Sequence, residues 1–240
     1  TPDISAAKSM KLRELFKISP VGVSGCLCSG VFVGSFYILG TIYATESGLD
    51  LAQTSLFMFI GILGGMTAQI PIGKISDKMD RRYVMMWICG TMFLIAPWID
   101  WFITMGNIAL IISSFLLGAC TFVIYPICVS HVNDQIDDTN RVKASGMLIM
   151  LQSIGMICGP IVISFMMQQF GAISFVMCFS AVSGSFVLFA FRYIASRDVN
   201  YLNVTPSAPM PTAPTHVFHE LAQEDTILDK TKDLFAEKKQ

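Results

Sequence analysis

Gly73-Lys74-Ile75-Ser76-Asp77-Lys78-Met79-Asp80-Arg81-Arg82 is the one segment in which charged and side-chain-free residues stand at spacings that could do chemistry. Gly73 would let a neighbouring helix approach closely. Asp77 lies one helical turn further on and faces the same way, where a carboxylate could cap the positive N-terminus of that neighbour. Lys78, Arg81 and Arg82 could pair with acids or backbone carbonyls. Together these would make a latch that can be closed in one conformation and broken in another. That is the chemistry of a conformational gate, not of bond making. Ordinary loop charge would account for the basic residues, but not for glycine and aspartate at these positions.

A second group of candidates forms polar stripes with helical spacing. Ser114, Gly118, Thr121, Tyr125 and Cys128 fall on one face of a 3.6-residue helix. Gly30, Gly34, Tyr37 and Thr41 do the same, as do Leu148, Gln152, Gly155 and Gly159. The side chains suited to line a cavity for a small solute are Tyr37, Thr41, Ser114, Thr121, Tyr125 and Gln152. Small and hydroxyl residues are also the usual glue between membrane helices, so Thr41, Ser114 and Thr121 have a packing reading beside the cavity one. Gly61, Gly64 and Gly65 are read as packing residues only. A buried phenol or amide needs a partner, which favours function at Tyr37, Tyr125 and Gln152. Pro126 and Pro160 each remove a backbone donor and, with Gly159, would let their helices bend.

Other chemistries find no support. The seven cysteines all lie in apolar stretches with no CxxC pair, so they read as small core residues, and neither a metal site nor a cofactor is expected. No Asp, Glu, Lys or Arg falls at the middle of an apolar stretch, where a charge persists mainly for a function. Asp100, between Trp98 and Trp101, reads as an interfacial residue, and a proton-coupling carboxylate would have to lie elsewhere. Thr139 stands where a helix N-cap would fall, and Asp134, Asp137 and Asp138 could hold the basic loop.

The elements that position these residues follow from where the charges are. The chain has 240 residues, 53% hydrophobic and only 14% charged, with a mean hydropathy of +0.61. Charge is absent from residues 18–45, 51–73, 83–99, 101–133 and 144–191. A membrane helix needs about 20 mostly apolar residues. The last stretch, as one helix, would be about 72 Å long against a hydrocarbon core of roughly 30 Å, so it must fold back. Gln168-Gln169-Phe170-Gly171 is the polar break that allows it, and Met105-Gly106-Asn107 serves the same purpose earlier. The expected architecture is therefore an all-α polytopic membrane protein with six transmembrane helices at about 18–44, 54–74, 83–104, 107–130, 143–168 and 172–193. A soluble enzyme is excluded by this composition. So is a nucleic-acid binder, because the net charge is −1 and no basic face exists away from the membrane.

All 16 basic residues fall before the first span, between the second and third, between the fourth and fifth, or at and beyond the end of the sixth. The opposite loops hold only acids. By the positive-inside rule both termini are cytoplasmic. Residues 1–17 mix apolar and basic side chains, as a helix lying on the inner membrane surface or a polar linker would. Residues 194–215 include a proline-rich stretch and read as a spacer, and 216–240 as a charged tail, either a short amphipathic helix or disorder, with a partner-docking motif as the other reading.

The Gly73–Arg82 segment resembles the cytoplasmic loop motif of the major facilitator superfamily: glycine, three residues, aspartate, basic, any residue, glycine, two basic. Gly73, Asp77, Lys78, Arg81 and Arg82 match; Asp80 stands where the family has its second glycine, which suits the degenerate copy between the eighth and ninth helices. The resemblance extends over most of 11–193. Gly22-Val23-Ser24-Gly25-Cys26, Gln69-Ile70-Pro71-Ile72-Gly73, Tyr125-Pro126 and Gly159-Pro160 look like the second half of YcaD-type bacterial inner-membrane transporters.

The resemblance implies a C-terminal half of a twelve-helix fold, built from two inverted three-helix repeats. The first, second, fourth and fifth helices would face the cavity, and the third and sixth would pack outside. It also implies a missing N-terminal six-helix half as partner, with the lipid bilayer and an unknown small-molecule substrate. The expected function is secondary active transport by alternating access in a bacterial inner membrane, without enzymatic chemistry. A homodimeric half-size transporter and a non-transporting receptor or scaffold are the alternatives.

Overall fold

The computed structural model describes residues 12–201. The expectations for 1–11, for the part of the spacer beyond 201 and for the tail at 216–240 lie outside the described residues. These form seven helices: α1 (Leu12–Ile18), α2 (Pro20–Glu46), α3 (Leu51–Ser76), α4 (Arg81–Thr104), α5 (Asn107–Asn133), α6 (Asp138–Phe170) and α7 (Ser174–Tyr201). All but α1 are long and apolar enough to cross a membrane, and no strand occurs among the described residues. The molecule is an all-α integral membrane protein. Contacts group the described residues up to Arg197 as one unit.

Local chemistry sets the helix ends. Pro20 opens α2 at a position where its missing N–H costs nothing. Asp50 and Gln53 form a reciprocal capping box on α3: the Gln53 backbone N–H donates to Asp50 Oδ1 at 2.7 Å, and the Asp50 N–H to Gln53 Oε1 at 3.1 Å. Gly106 (φ 134°) and Gly171 (φ 82°) make the two turns that break the long apolar stretches, in backbone conformations that side chains rarely adopt. Thr139 is not a cap. Asp137 precedes α6, with no side-chain capping bond, and Thr139 is already helical. The polar residues ahead of the apolar run continue the helix instead of ending before it.

The tightest helix pairs are α2 with α6 and α3 with α5. If α2–α4 and α5–α7 are two copies of one three-helix unit, exchanging the copies turns the first pair into the second, the signature of interlocked repeats. Glycine makes both contacts possible. A methyl group on Gly118 would overlap the Gly61 carbonyl, and one on Gly30 the Gln152 carbonyl; the Gly155 Cα lies 3.0 Å from that same Gly30 position. The backbones therefore touch directly, and packing at such distances is what holds helices together in lipid.

Aromatic residues fill the remaining space. Phe32 and Phe179 lie 5.2 Å apart between ring centroids, and Tyr43 stacks on Phe175 at 4.7 Å, tying α7 to α2. The Ser180 hydroxyl donates to the Phe93 carbonyl at 2.9 Å and ties α7 to α4. The cysteines are free, and Cys26, Cys89, Cys120 and Cys128 are buried. No cluster suited to a metal ion is found among the described residues.

Candidate functional site

The Gly73–Arg82 loop sits where α3 ends and α4 begins. Arg81, in the first turn of α4, is its hub. Its Nη2 lies 3.1 Å from Asp77 Oδ1 and its Nε donates to Asp134 Oδ2 at 2.6 Å. Nη1 reaches the Ser76 hydroxyl at 3.4 Å. The planar guanidinium has donors in a fixed fork, so one Arg can hold two carboxylates where a Lys could not hold the same geometry. Asp77 ends α3 and Asp134 ends α5. The contact therefore joins the loop of the first repeat to the end of the first helix of the second.

Asp80 explains the departure from glycine in the motif. It is the N-cap of α4, its side chain accepting from the Arg82 N–H at 2.9 Å. The turn is closed by a cap instead of by a glycine, a signal that an Asp just before a helix start carries in the sequence. Beside it, buried His131 on α5 contacts the Gln135 side-chain amide at 2.9 Å. Nothing in the spacing of the motif marks those two residues.

Gly73 and Asp77 do share a face. Both line a cavity of about 290 Å³ whose opposite wall is α5 at Pro126 and Ser130. A methyl group added to Gly73 would meet nothing within 4 Å. The close approach expected at Gly73 is thus not made by any described residue; between α3 and α5 the close backbone approaches fall at Gly61, Gly64 and Gly118. Lys78 is exposed.

The six cavity candidates separate. Tyr37 is 48% exposed, its ring 5.4 Å from Phe122 of α5. Thr41, one turn along, is exposed, and Tyr125, one turn from Phe122, is half-buried. Gln152 is half-buried and donates to the Ser29 hydroxyl at 3.5 Å, from α6 to α2. Ser114 and Thr121 are different: both are wholly buried. The Ser114 hydroxyl donates to the Leu110 carbonyl at 2.6 Å, and the Thr121 hydroxyl has no partner. They belong to helix packing, which corrects the cavity reading. The physical reason is that α5 contacts α2, α3 and α4 at once, leaving little free face at mid-length.

The helix-bending candidates also divide. α5 and α6 run through Pro126 and Pro160 as continuous helices. Gly159 is accounted for by packing, since a methyl there would meet the Val31 Cα at 2.8 Å.

Six apolar helices in interlocked repeats, with a charged loop between the second and third, define a polytopic helical membrane protein. Residues 21–224 match the Major Facilitator Superfamily, and the chain belongs to that family. It is similar to the uncharacterized MFS-type transporter YE1530 of Yersinia enterocolitica, 28% identical over 70% of this chain and 42% of that protein. It is also similar to the uncharacterized MFS-type transporter YcaD of Escherichia coli, 26% identical over 78% of this chain and 47% of that protein. The chain thus spans less than half the length of these relatives.

Proposed function

We propose that this chain is the C-terminal six-helix half of a secondary transporter that moves a small solute across a bacterial inner membrane by alternating access, with no chemical step. The Gly73–Arg82 loop is its cytoplasmic gate, and both termini are cytoplasmic. The observation that carries the reading is Arg81 held between Asp77 and Asp134 at the ends of α3 and α5. An interaction made in one state and lost in another biases the two by its own free energy. Gly73 and Asp77 beside an open cavity leave a surface for a second half to close against.

In this reading Tyr37, Thr41, Tyr125 and Gln152 face the substrate path. Tyr37 and Thr41 present polar groups on an exposed face of α2 and call for a facing surface, which a second six-helix half would supply across the midplane. Lys78 and Arg82 add cationic groups for acids of that half. Pro126 and Pro160 allow the central helices to flex.

The test is uptake into liposomes across a panel of small solutes, by residues 1–240 alone and by the same chain with an N-terminal six-helix half. Saturable uptake is expected only with both halves. Saturable uptake by the 240-residue chain alone would favour a homodimeric half-size transporter instead. No uptake in either case, with both proteins folded, would favour a receptor or scaffold.

A further inference from the structure

We propose that the groove between α4 and α5 is a binding site for one acyl chain of a phospholipid, drawn from the leaflet that contains the α4–α5 turn. This rests on the membrane-spanning fold and is independent of the transport reading. The groove has a volume of about 590 Å³, within the range of about 300–1,000 Å³ typical of small-molecule sites. Its lining carries no charged residue; Trp98, Phe102, Ile108 and Ile112 are among its walls.

Length identifies the occupant. On α4 the groove runs from Met105 at the turn down to Ile95, and on α5 from Asn107 to Leu116. Ten residues of helix span about 15 Å, half of a hydrocarbon core of roughly 30 Å. The groove is therefore as deep as one leaflet, the span of one acyl chain. Water has no partners at that depth, and an empty apolar groove would forfeit contact on one side.

The mouth of the groove fits the ester region of a lipid. Asn107 lines it, and its Oδ1 accepts from Gln53 Nε2 at 3.2 Å. That contact fixes the side chain and leaves its amide nitrogen as the donor group. No Lys or Arg lies on the α4–α5 turn or the α2–α3 turn, so the site does not select anionic headgroups. Trp98 on the groove wall is 58% exposed, and α4 stays open beyond the groove, with Leu94 and Trp87 at 66% and 72%.

The test uses an internal control. Trp87 is 72% exposed, against 58% for Trp98, and does not line the groove; it lies about 16 Å away along the same helix. Full-length protein carrying either Trp98 or Trp87 as its single tryptophan is reconstituted in phosphatidylcholine bearing a dibrominated acyl chain, which quenches nearby tryptophans. It is then diluted into detergent without brominated lipid. Trp98 is expected to keep most of its quenching while Trp87 recovers. Native mass spectrometry should show one retained phospholipid. Filling the groove with Ala109→Leu, or with Ile112→Phe should the first variant not fold, should abolish both signals. Equal recovery of the two tryptophans, or retention unchanged in a folded groove-filled variant, would overturn the proposal.

Discussion

Arg81 Nε donates to Asp134 Oδ2 at 2.6 Å, across 53 residues of chain, while the same guanidinium holds Asp77 one turn before it. One side chain therefore ties the end of α3, the start of α4 and the end of α5. A change in the angle between α3 and α5 at this end must alter at least one of the two contacts.

Because the Asp134 side chain is 57% exposed, the pair contributes little to folding. A double-mutant cycle of Arg81→Gln and Asp134→Asn, read by thermal unfolding in detergent, should give a coupling of about 0.2–1 kcal/mol. A coupling of several kcal/mol would make the pair a structural staple instead of a switchable contact.

Gly118 on α5 and Gly73 on α3 should behave oppositely. Gly118→Ala pushes a methyl into the Gly61 backbone and is expected to destabilise the bundle by about 1–3 kcal/mol, the usual cost of overpacking. Gly73→Ala enters open space and should leave folded abundance near normal. Fluorescence-detected gel filtration after a heat series would separate the two; equal stability would show that the α3–α5 contact yields easily.

The number of spans and the loop motif were legible in the sequence because they rest on run lengths and on the one-sided placement of Lys and Arg. The ends were legible where a residue has a single local role, as Gly171 does, and missed where polar residues continue a helix, as at Thr139. The packing was not legible. Periodicity puts Ser114, Gly118 and Thr121 on one face of α5 but does not tell whether that face meets a cavity or another helix. Gly118 meets Gly61, a contact that only the three-dimensional arrangement reveals. The partner of Gln152, Ser29, lies 123 residues away and on no stripe.

The Thr121 hydroxyl is buried without a partner, so it costs desolvation and returns nothing. Thr121→Val should be neutral or slightly stabilising, since removing an unsatisfied polar group relieves a penalty of about 1–3 kcal/mol. It should leave transport unchanged. A selective loss of transport in a stable Thr121→Val protein would return this residue to the substrate path.

The proposed orientation rests on loop charge. In a cysteine-free background, Glu46→Cys and Met105→Cys should react with an impermeant maleimide from outside the cell, and Asn140→Cys should not. Met105 is chosen over Gly106 because the backbone there has an ordinary φ of −76°, against 134° at the glycine. The inverse labelling pattern would reverse the topology and take the gate to the other side of the membrane.

Reciprocal accessibility tests the gate most directly. Single cysteines replace Thr41, exposed near the end of α2 away from the gate, and Gln69, which lines the cavity beside Gly73. They are placed in the full-length protein with and without Asp77→Asn. If the loop holds the cytoplasmic side closed, losing the Asp77 carboxylate shifts the population toward the inward-open state. Labelling of the Thr41→Cys protein from outside should then fall, while labelling of the Gln69→Cys protein from the cytoplasmic side rises. Unchanged labelling at both positions in a normally folded Asp77→Asn protein would contradict the gate and leave the loop as ordinary positive-inside charge.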